Sequence, residues 1–204
     1  MVILKMENKN VHHDRRSIRL KGYDYSRPGA YFITICTSNR ECWFGEIIDD
    51  KMILNEYGKI AKQCWIDIPV HFPDVMLDEF IVMPNHIHGI VVINRTNKPN
   101  PVGANNHSPS NSHSPVNVGA KNFSPLQSLK SPSRSIGSIV RGFKIGVTKR
   151  LRDKTPEKFP PHHSIWQRNY YEHIIRNEDE LNGIREYIYC NPLKWLNDKN
   201  YKIR

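Results

Sequence analysis

The stretch FIVMPNHIHGIVVI, residues 80–93, has the pattern of an apolar strand but contains two histidines, His86 and His88. Successive strand side chains point to opposite faces of a sheet, so residues two apart share a face. We therefore expect Ile87 to point into a core, and His86 and His88 to point together the other way. Two imidazoles on one face are either half of a metal site or ordinary polar residues on a wet surface, and the strand alone leaves both interpretations open.

Other apolar patterns around this stretch predict an alternation of strands and helices. Aromatic and β-branched runs predict strands at 31–37 and 75–83, a hairpin over 43–55 with its turn near Asp49 and Asp50, and extended chain at 164–176. Apolar residues three or four apart predict helices at 55–68 and 135–153. This order favours an α+β fold: a ferredoxin-like (RRM-like) antiparallel sheet with helices on one face, in which the first and third strands are central.

A C-terminal helix is predicted by a capping signal and an apolar stripe. Asn177 and Glu180 have capping-box spacing, and the stripe that follows is Leu181, Ile184 and Ile188. Tyr187 and Asn191 lie one turn apart and flank the stripe, so a helix packed on the sheet could turn both toward the histidines. Asn191 is expected to be the last helical residue, because a residue before proline avoids helical angles.

Residues 94–134 differ from the rest of the chain in composition. They are rich in Asn, Ser and Pro, and they contain an imperfect repeat, VGANNHSP at 102–109 and VGAKNFSP at 118–125. Such a segment buries too little apolar surface to fold by itself. We interpret it as a low-complexity flexible insertion within a single domain that spans 1–204.

The charge balance favours a polyanionic partner such as nucleic acid. The chain has 30 Lys and Arg against 20 Asp and Glu, a formal net charge of +10. The four cysteines include no CxxC pair, so a zinc ribbon is not indicated, and no apolar run approaches the ~20 residues of a membrane span. We expect a cytoplasmic protein without a membrane partner. The basic residues of the predicted helix at 135–153 are as typical of a solvent-exposed helix face as of a DNA contact. The candidate DNA-binding residues are Arg15, Arg16, Arg19, Lys21, Arg141 and Lys144.

Three motifs in this order resemble the REP-associated tyrosine transposases, relatives of the single-strand insertion-sequence transposases in the HUH endonuclease superfamily. The motifs are MPNHIH at 83–88, IWQRNYYEH at 165–173 and YIYCNP at 187–192. The resemblance covers about residues 15–196, apart from the insertion. It implies that the protein cleaves and rejoins single-stranded DNA hairpins through a 5′-phosphotyrosine intermediate.

The resemblance also implies roles for individual residues. Tyr187 would be the nucleophile, and His86, His88 and Asn191 would hold Mg²⁺ or Mn²⁺, with nitrogen ligands favouring Mn²⁺. Tyr189 would be structural. A pocket around the site would be formed by Trp166, Gln167, Tyr171, Glu172 and His173, of which Glu172 or His173 could replace Asn191 as a ligand. The protein would be nucleoid-associated and either a monomer or a homodimer.

Two other functions fit parts of the sequence. A non-catalytic RRM-like nucleic-acid-binding protein would use a similar sheet, but with stacking aromatic residues where this chain has histidines. An HUH replication-initiator or relaxase-type nuclease would share the histidine pair, but we would expect it to be joined to a helicase-like domain.

Overall fold

The protein is described by a computed structural model for residue 20 and for residues 22–94 and 134–201. The predicted DNA contacts Arg15, Arg16, Arg19 and Lys21, and nearly all of the predicted insertion, lie outside these described residues. No helix among the described residues has both the length and the apolar character that crossing a membrane requires.

Four strands form the main sheet, and every neighbouring pair is antiparallel. They are β1 (Gly29–Cys36), β4 (Val75–Val82), β5 (His86–Ile93) and β6 (Tyr171–Ile175). Their order across the sheet is β4-β5-β1-β6, so the first strand and the histidine strand are central, as predicted. A separate hairpin consists of β2 (Gly45–Ile48) and β3 (Lys51–Leu54), and its turn residues Asp49 and Asp50 both have positive φ. The predicted hairpin is therefore confirmed.

The three longer helices begin within a residue or so of their predicted starts, and each has a capping side chain. The helices are α1 (Glu56–Ile66), a short α2 (Ile68–His71), α3 (Ile136–Lys154) and α4 (Glu178–Tyr189). The side chain of Asn55 accepts hydrogen bonds at the start of α1, and those of Ser135 and Asn177 do so at α3 and α4. The predicted capping box at α4 forms only in part, because the Glu180 carboxylate accepts from the amide of Arg176 instead of that of Asn177.

The main core lies between one face of the sheet and helices α1 and α3. Ile33, Ile87 and Phe143 belong to this buried cluster, so Ile87 points into the core as expected. Trp65 of α1 packs directly on Gly89, where a Cβ atom would collide with the indole. Glycine in the middle of the histidine strand thus lets a large aromatic ring approach the backbone.

The opposite face of the sheet is covered by α4. Phe32 and Ile90 from the two central strands pack there against Ile188 of α4, which is 1% exposed. His86 and His88 share this face with Ile90, since the three residues are two apart along β5. The C-terminal helix therefore lies over the histidines.

Two predicted boundaries differ from the structure. Only Tyr171–Ile175 of the predicted extended segment 164–176 forms a ladder, while Trp166 makes an isolated bridge to Thr37. Helix α4 ends at Tyr189, and the next residues tighten into a 3-10 helix, Pro192–Asn197. The expectation that Asn191 would be the last residue of α4 is therefore wrong. Its reason also fails, because Asn191 has helical angles (φ −60°, ψ −40°) although it precedes Pro192. Pro192 takes the first position of this 3-10 helix, where its missing amide proton is not needed.

Candidate active site

The two histidines form a buried pair beneath α4. Both side chains are 0% exposed, and their ring centroids are 4.5 Å apart. Phe32 stacks on His88 and Trp195 stacks on His86, so an aromatic ring supports each imidazole. The interpretation of these residues as a wet sheet surface is therefore wrong, because α4 and the chain after it bury both rings.

Asn85 determines which nitrogen of His86 carries the proton. Its Nδ2 donates to the carbonyls of Arg40 and Asn200, so its Oδ1 is the atom that faces Nδ1 of His86, at 2.9 Å. An oxygen can only accept, so Nδ1 must donate and Nε2 of a neutral His86 carries the lone pair. That Nε2 is buried and makes no hydrogen bond with any described residue. This nitrogen can therefore serve as a ligand of a cation.

Burial keeps both imidazoles neutral. It lowers the pKa of His86 to about 4, against the opposing effects of the Asp198 carboxylate and of the Asn191 side chain. Burial also lowers the pKa of His88 well below its usual value, and the neighbouring His86 and Lys199 act in the same direction. Neutral imidazole is the form that binds a metal ion, so the pair is ready to do so at neutral pH.

Tyr187 of α4 reaches the second histidine. Its hydroxyl lies 3.3 Å from Nε2 of His88, whose Nδ1 lies 2.8 Å from Oγ1 of Thr34. The phenol ring packs edge-on against Phe32, with ring centroids 6.0 Å apart. Burial raises the pKa of Tyr187, and the Asp198 carboxylate raises it further, so the resting side chain is the neutral phenol.

A carboxylate that the sequence did not single out joins the site. Asp198, just beyond the 3-10 helix, offers an oxygen within 4.8 Å of ligand atoms of both His86 and His88. Its Oδ2 lies 3.3 Å from Nδ2 of Asn191, which donates to it. Asn191 is 1% exposed, and its Oδ1 makes no hydrogen bond within the described chain. Asp198 is therefore in contact with Asn191 and close to both histidines.

The chain that delivers Asp198 is anchored to the same end of the sheet. The amide of Asn200 donates to Oδ1 of Asp198 at 2.6 Å, and its carbonyl accepts from the side chain of Asn85. The guanidinium of Arg40 donates to the carbonyl of Lys199. The segment is thus held by polar contacts on both sides of the carboxylate.

The predicted pocket residues divide between the two faces of the sheet. Tyr171 lies on the histidine face, where its ring packs edge-on against Phe32. Glu172 is paired with Ile33 and so points to the opposite face. Trp166 also lies in the opposite core, and Gln167 is exposed.

His173 is on the histidine face but is engaged elsewhere, with its Nε2 2.6 Å from the Glu180 carboxylate. Glu172 and His173 are therefore not in the cluster of possible ligands, which consists of His86, His88 and Asp198.

The two predicted DNA contacts within the described chain differ in their surroundings. Arg141 is exposed on α3. Lys144 is half-buried, and its ammonium donates to the carbonyls of Gln167 and Asn169. Burial lowers the pKa of Lys144 to about 8. Its present contacts support the loop before β6, and a contact with phosphate by either residue stays a prediction.

Sequence reasoning missed Asn85 and Asp198 for different reasons. Asn85 stands inside the MPNHIH motif, where an amide next to a histidine was a usable signal for a partner of the ring. Asp198 has no such signal, because its position depends on the path of the chain after Pro192.

Comparisons with known proteins place the chain beside a group of transposases. No family model matches it. An uncharacterized protein of Haemophilus influenzae is 47% identical over 194 residues, 95% of this chain and 96% of that protein. A second protein of the same organism, provisionally named a REP-associated tyrosine transposase, is 24% identical over 172 residues, 84% of this chain and 74% of its own length.

The chain is related to the REP-associated tyrosine transposases. The solved structure of a REP-associated tyrosine transposase bound to a REP hairpin matches it with a TM-score of 0.51, at 18% identity, over 87% of this chain and 74% of that one. At this identity the match shows a shared fold. This mixed α/β fold with an antiparallel sheet is thus also that of a REP-associated tyrosine transposase.

Proposed function

We propose that this protein cleaves and rejoins single-stranded DNA at hairpins of the REP type, with Tyr187 as the nucleophile and a divalent cation as the cofactor. The observation that carries the proposal is the 3.3 Å approach of the Tyr187 hydroxyl to Nε2 of His88. Nε2 of the neighbouring His86 has no hydrogen-bond partner among the described residues. The relative in the solved complex is bound to a REP hairpin, and the charge of +10 suits such a partner. The ferredoxin-like assignment belongs to this proposal and is supported by the order β4-β5-β1-β6.

The buried donor set fits a divalent cation. His86 and His88 supply neutral nitrogens, and the Oδ1 of Asn191 supplies an oxygen without a hydrogen-bond partner among the described residues. These three residues would hold Mg²⁺ or Mn²⁺, which would polarise a non-bridging phosphate oxygen as a Lewis acid when bound. The Nδ1 contacts of the histidines, to Asn85 and Thr34, hold both rings in the orientation that this binding needs.

In the proposed reaction the Tyr187 oxygen attacks phosphorus and the bond from phosphorus to the 3′ oxygen breaks. The products are a 5′-phosphotyrosine and a free 3′-hydroxyl, which gains the proton that the phenol loses. One phosphodiester replaces another, so rejoining to a second 3′-hydroxyl needs no external energy source. The protein contributes position: Phe32 and the anchored helix α4 hold the phenol beside the histidines.

The RRM-like alternative requires an open aromatic sheet face, and the described chain does not offer one. Phe32, the aromatic residue of the central strand on that face, is 8% exposed because α4 covers it. Bases could not stack on it without displacement of the helix. The geometry therefore supports the catalytic function better than the binding-only function.

The test is a covalent trap on a labelled single-stranded hairpin oligonucleotide with Mn²⁺, analysed on a denaturing gel. We expect a protein–DNA adduct that EDTA prevents and that Tyr187→Phe abolishes while hairpin binding is retained. Tyr189→Phe is the matched control, since Tyr189 is on the same helix but 78% exposed, and it should form the adduct like wild type. An adduct of undiminished yield with Tyr187→Phe would reject the nucleophile, and full activity in EDTA would reject the cation.

A further inference from the structure

The carboxylate of Asp198 lies in the proposed metal site without a role in the reaction described above. It is within 4.8 Å of ligand atoms of both histidines, and no second cluster of three His, Cys, Asp or Glu side chains is as tight in the described parts of the chain. We propose that Asp198 is a direct ligand of the divalent cation, and that Asn191 holds its carboxylate in place. The inference rests on the proposed function, because it assigns a further residue to the same cation.

Charge compensation favours a carboxylate here. His86, His88 and Asn191 are all neutral, so without Asp198 they would hold a doubly charged ion in a buried site with no negative ligand. The guanidinium of Arg40 donates to the carbonyl of Lys199, the residue after Asp198, so positive charge already lies beside the site and would oppose the ion. A carboxylate at this position offsets part of that cost.

The carboxylate is held by contacts that leave it able to bind. Oδ1 accepts from the amide of Asn200, and Oδ2 accepts from Nδ2 of Asn191. Each carboxylate oxygen has a second lone pair, so both contacts can persist while one oxygen binds an ion. Hydrogen bonds of this kind are the usual support of a ligating carboxylate.

The backbone around Asp198 also fixes its approach. Trp195, three residues earlier, stacks on His86, and the ring of Tyr201 packs edge-on against Trp195. Asn85 bonds both to His86 and to the carbonyl of Asn200. The elements that orient the His86 ring are thus the same ones that bring the carboxylate to it, as expected of a preformed ligand set.

A donor set of two imidazoles and one carboxylate keeps the expected preference for Mn²⁺. This donor set suits Mn²⁺ and other first-row divalent ions better than Mg²⁺, which prefers oxygen ligands and retains most of its water. The sequence favoured Mn²⁺ on the nitrogen ligands alone. We expect the full-length protein to bind Mn²⁺ more tightly than Mg²⁺ in the absence of DNA.

Titration of the full-length protein with Mn²⁺ alone, followed by the loss of the free-ion EPR signal, tests the inference without reference to activity. We expect Asp198→Asn to weaken Mn²⁺ binding on the order of 100-fold. Loss of a residue that only supports a ligand typically costs about 10- to 100-fold in metal affinity, and loss of a charged ligand should cost at least as much. Asp153→Asn, which removes an exposed carboxylate on α3, is the matched control and should bind like wild type. Equal affinity of Asp198→Asn and wild type would overturn the inference.

A second variant separates a ligand from a structural contact and serves if Asp198→Asn fails to fold. Asp198→Cys loaded with Co²⁺ should show a thiolate-to-metal charge-transfer band that the wild type lacks, because only a directly bound thiolate produces it. A folded Asp198→Cys that binds Co²⁺ without this band would also overturn the inference.

A His86→Ala variant distinguishes failure of the Asp198 assignment from failure of the metal site in the proposed function. If wild type binds Mn²⁺ and His86→Ala does not, the cation site stands whatever the Asp198 variants show. If wild type and His86→Ala give the same titration, the metal site of the proposed function fails, and the role of Asp198 fails with it.

Discussion

The hydroxyl of Tyr187 lies 3.3 Å from Nε2 of His88, although 99 positions separate the two residues in the chain. This approach exists because α4 packs its Ile188 on the sheet face that carries the histidines. It links stability with the chemistry proposed here, since the contacts that bury the helix also bury the imidazoles. The following predictions probe that link at different points.

The metal-free protein should lose stability in mild acid. The pKa of His86 is about 4 when folded, against 6.5 for an exposed histidine, so the unfolded chain binds more protons between these two values. The free energy of unfolding therefore falls as the pH drops through this window, by up to about 3 kcal/mol for His86 alone. Urea unfolding in EDTA at pH 7 and at pH 4.5 measures the change.

A variant assigns this pH dependence to the buried ring. His86→Asn removes the titrating group, so its unfolding free energy should change less between the two pH values than that of wild type. His162→Asn, at an exposed position, is the control and should behave like wild type. A His86→Asn variant with the full wild-type pH dependence would contradict the assignment.

Asn85→Ala should weaken Mn²⁺ binding by about 10- to 100-fold, because His86 loses the partner that fixes its proton on Nδ1. The change also leaves the carbonyl of Asn200 without its donor, which should cost about 1–3 kcal/mol of stability. Asn55→Ala is the control: it removes the cap of α1, whose hydrogen bonds go to Trp43, Tyr57 and Gly58 and not to a histidine, and should reduce stability without changing Mn²⁺ affinity. Equal losses of affinity in both variants would show a general effect of instability.

Gly89→Ala should destabilise the protein by about 1–3 kcal/mol, because the new methyl group would collide with the Trp65 ring in a close-packed core. Gly183→Ala is the matched control: apart from adjacent residues and the backbone of its own helix, no atom of the described residues lies within 4 Å of the position of its Cβ, and alanine favours the helix. It should be neutral or stabilising by up to about 1 kcal/mol. Thermal unfolding of the two variants measures these changes in stability. A Gly89→Ala variant as stable as wild type would show that the strand can shift to accommodate the methyl group.

Deletion of residues 97–131 should leave folding and cleavage intact. The backbone amide of Asn94 donates to the carbonyl of Asp74, and the guanidinium of Arg134 donates to the carboxylate of the same residue. The two ends of the predicted insertion thus meet at one residue, and the four residues left by the deletion have little distance to span. Cooperative unfolding near the wild-type midpoint is the expected result, and loss of it would show that the segment is part of the fold.

The local features of this chain were readable from the sequence. Strand alternation placed Ile87 opposite His86 and His88, and apolar spacing placed Tyr187 on the flank of the α4 stripe. The cap at Asn177 was equally local, because it depends on residues within one turn of the helix. Such patterns are periodic, and the backbone geometry that makes them so is the same in every protein.

The composition of the candidate site was decided only by the tertiary structure. The packing of Ile188 against Phe32 and Ile90 determines which face of the sheet α4 covers. It therefore also determines whether the histidines are solvent-exposed or buried. The carboxylate of Asp198 reaches the histidines because the chain tightens after Pro192 and then bonds to Asn85. These contacts join residues distant in sequence, and no periodicity encodes them, so only the folded chain shows that an aspartate lies beside the histidine pair.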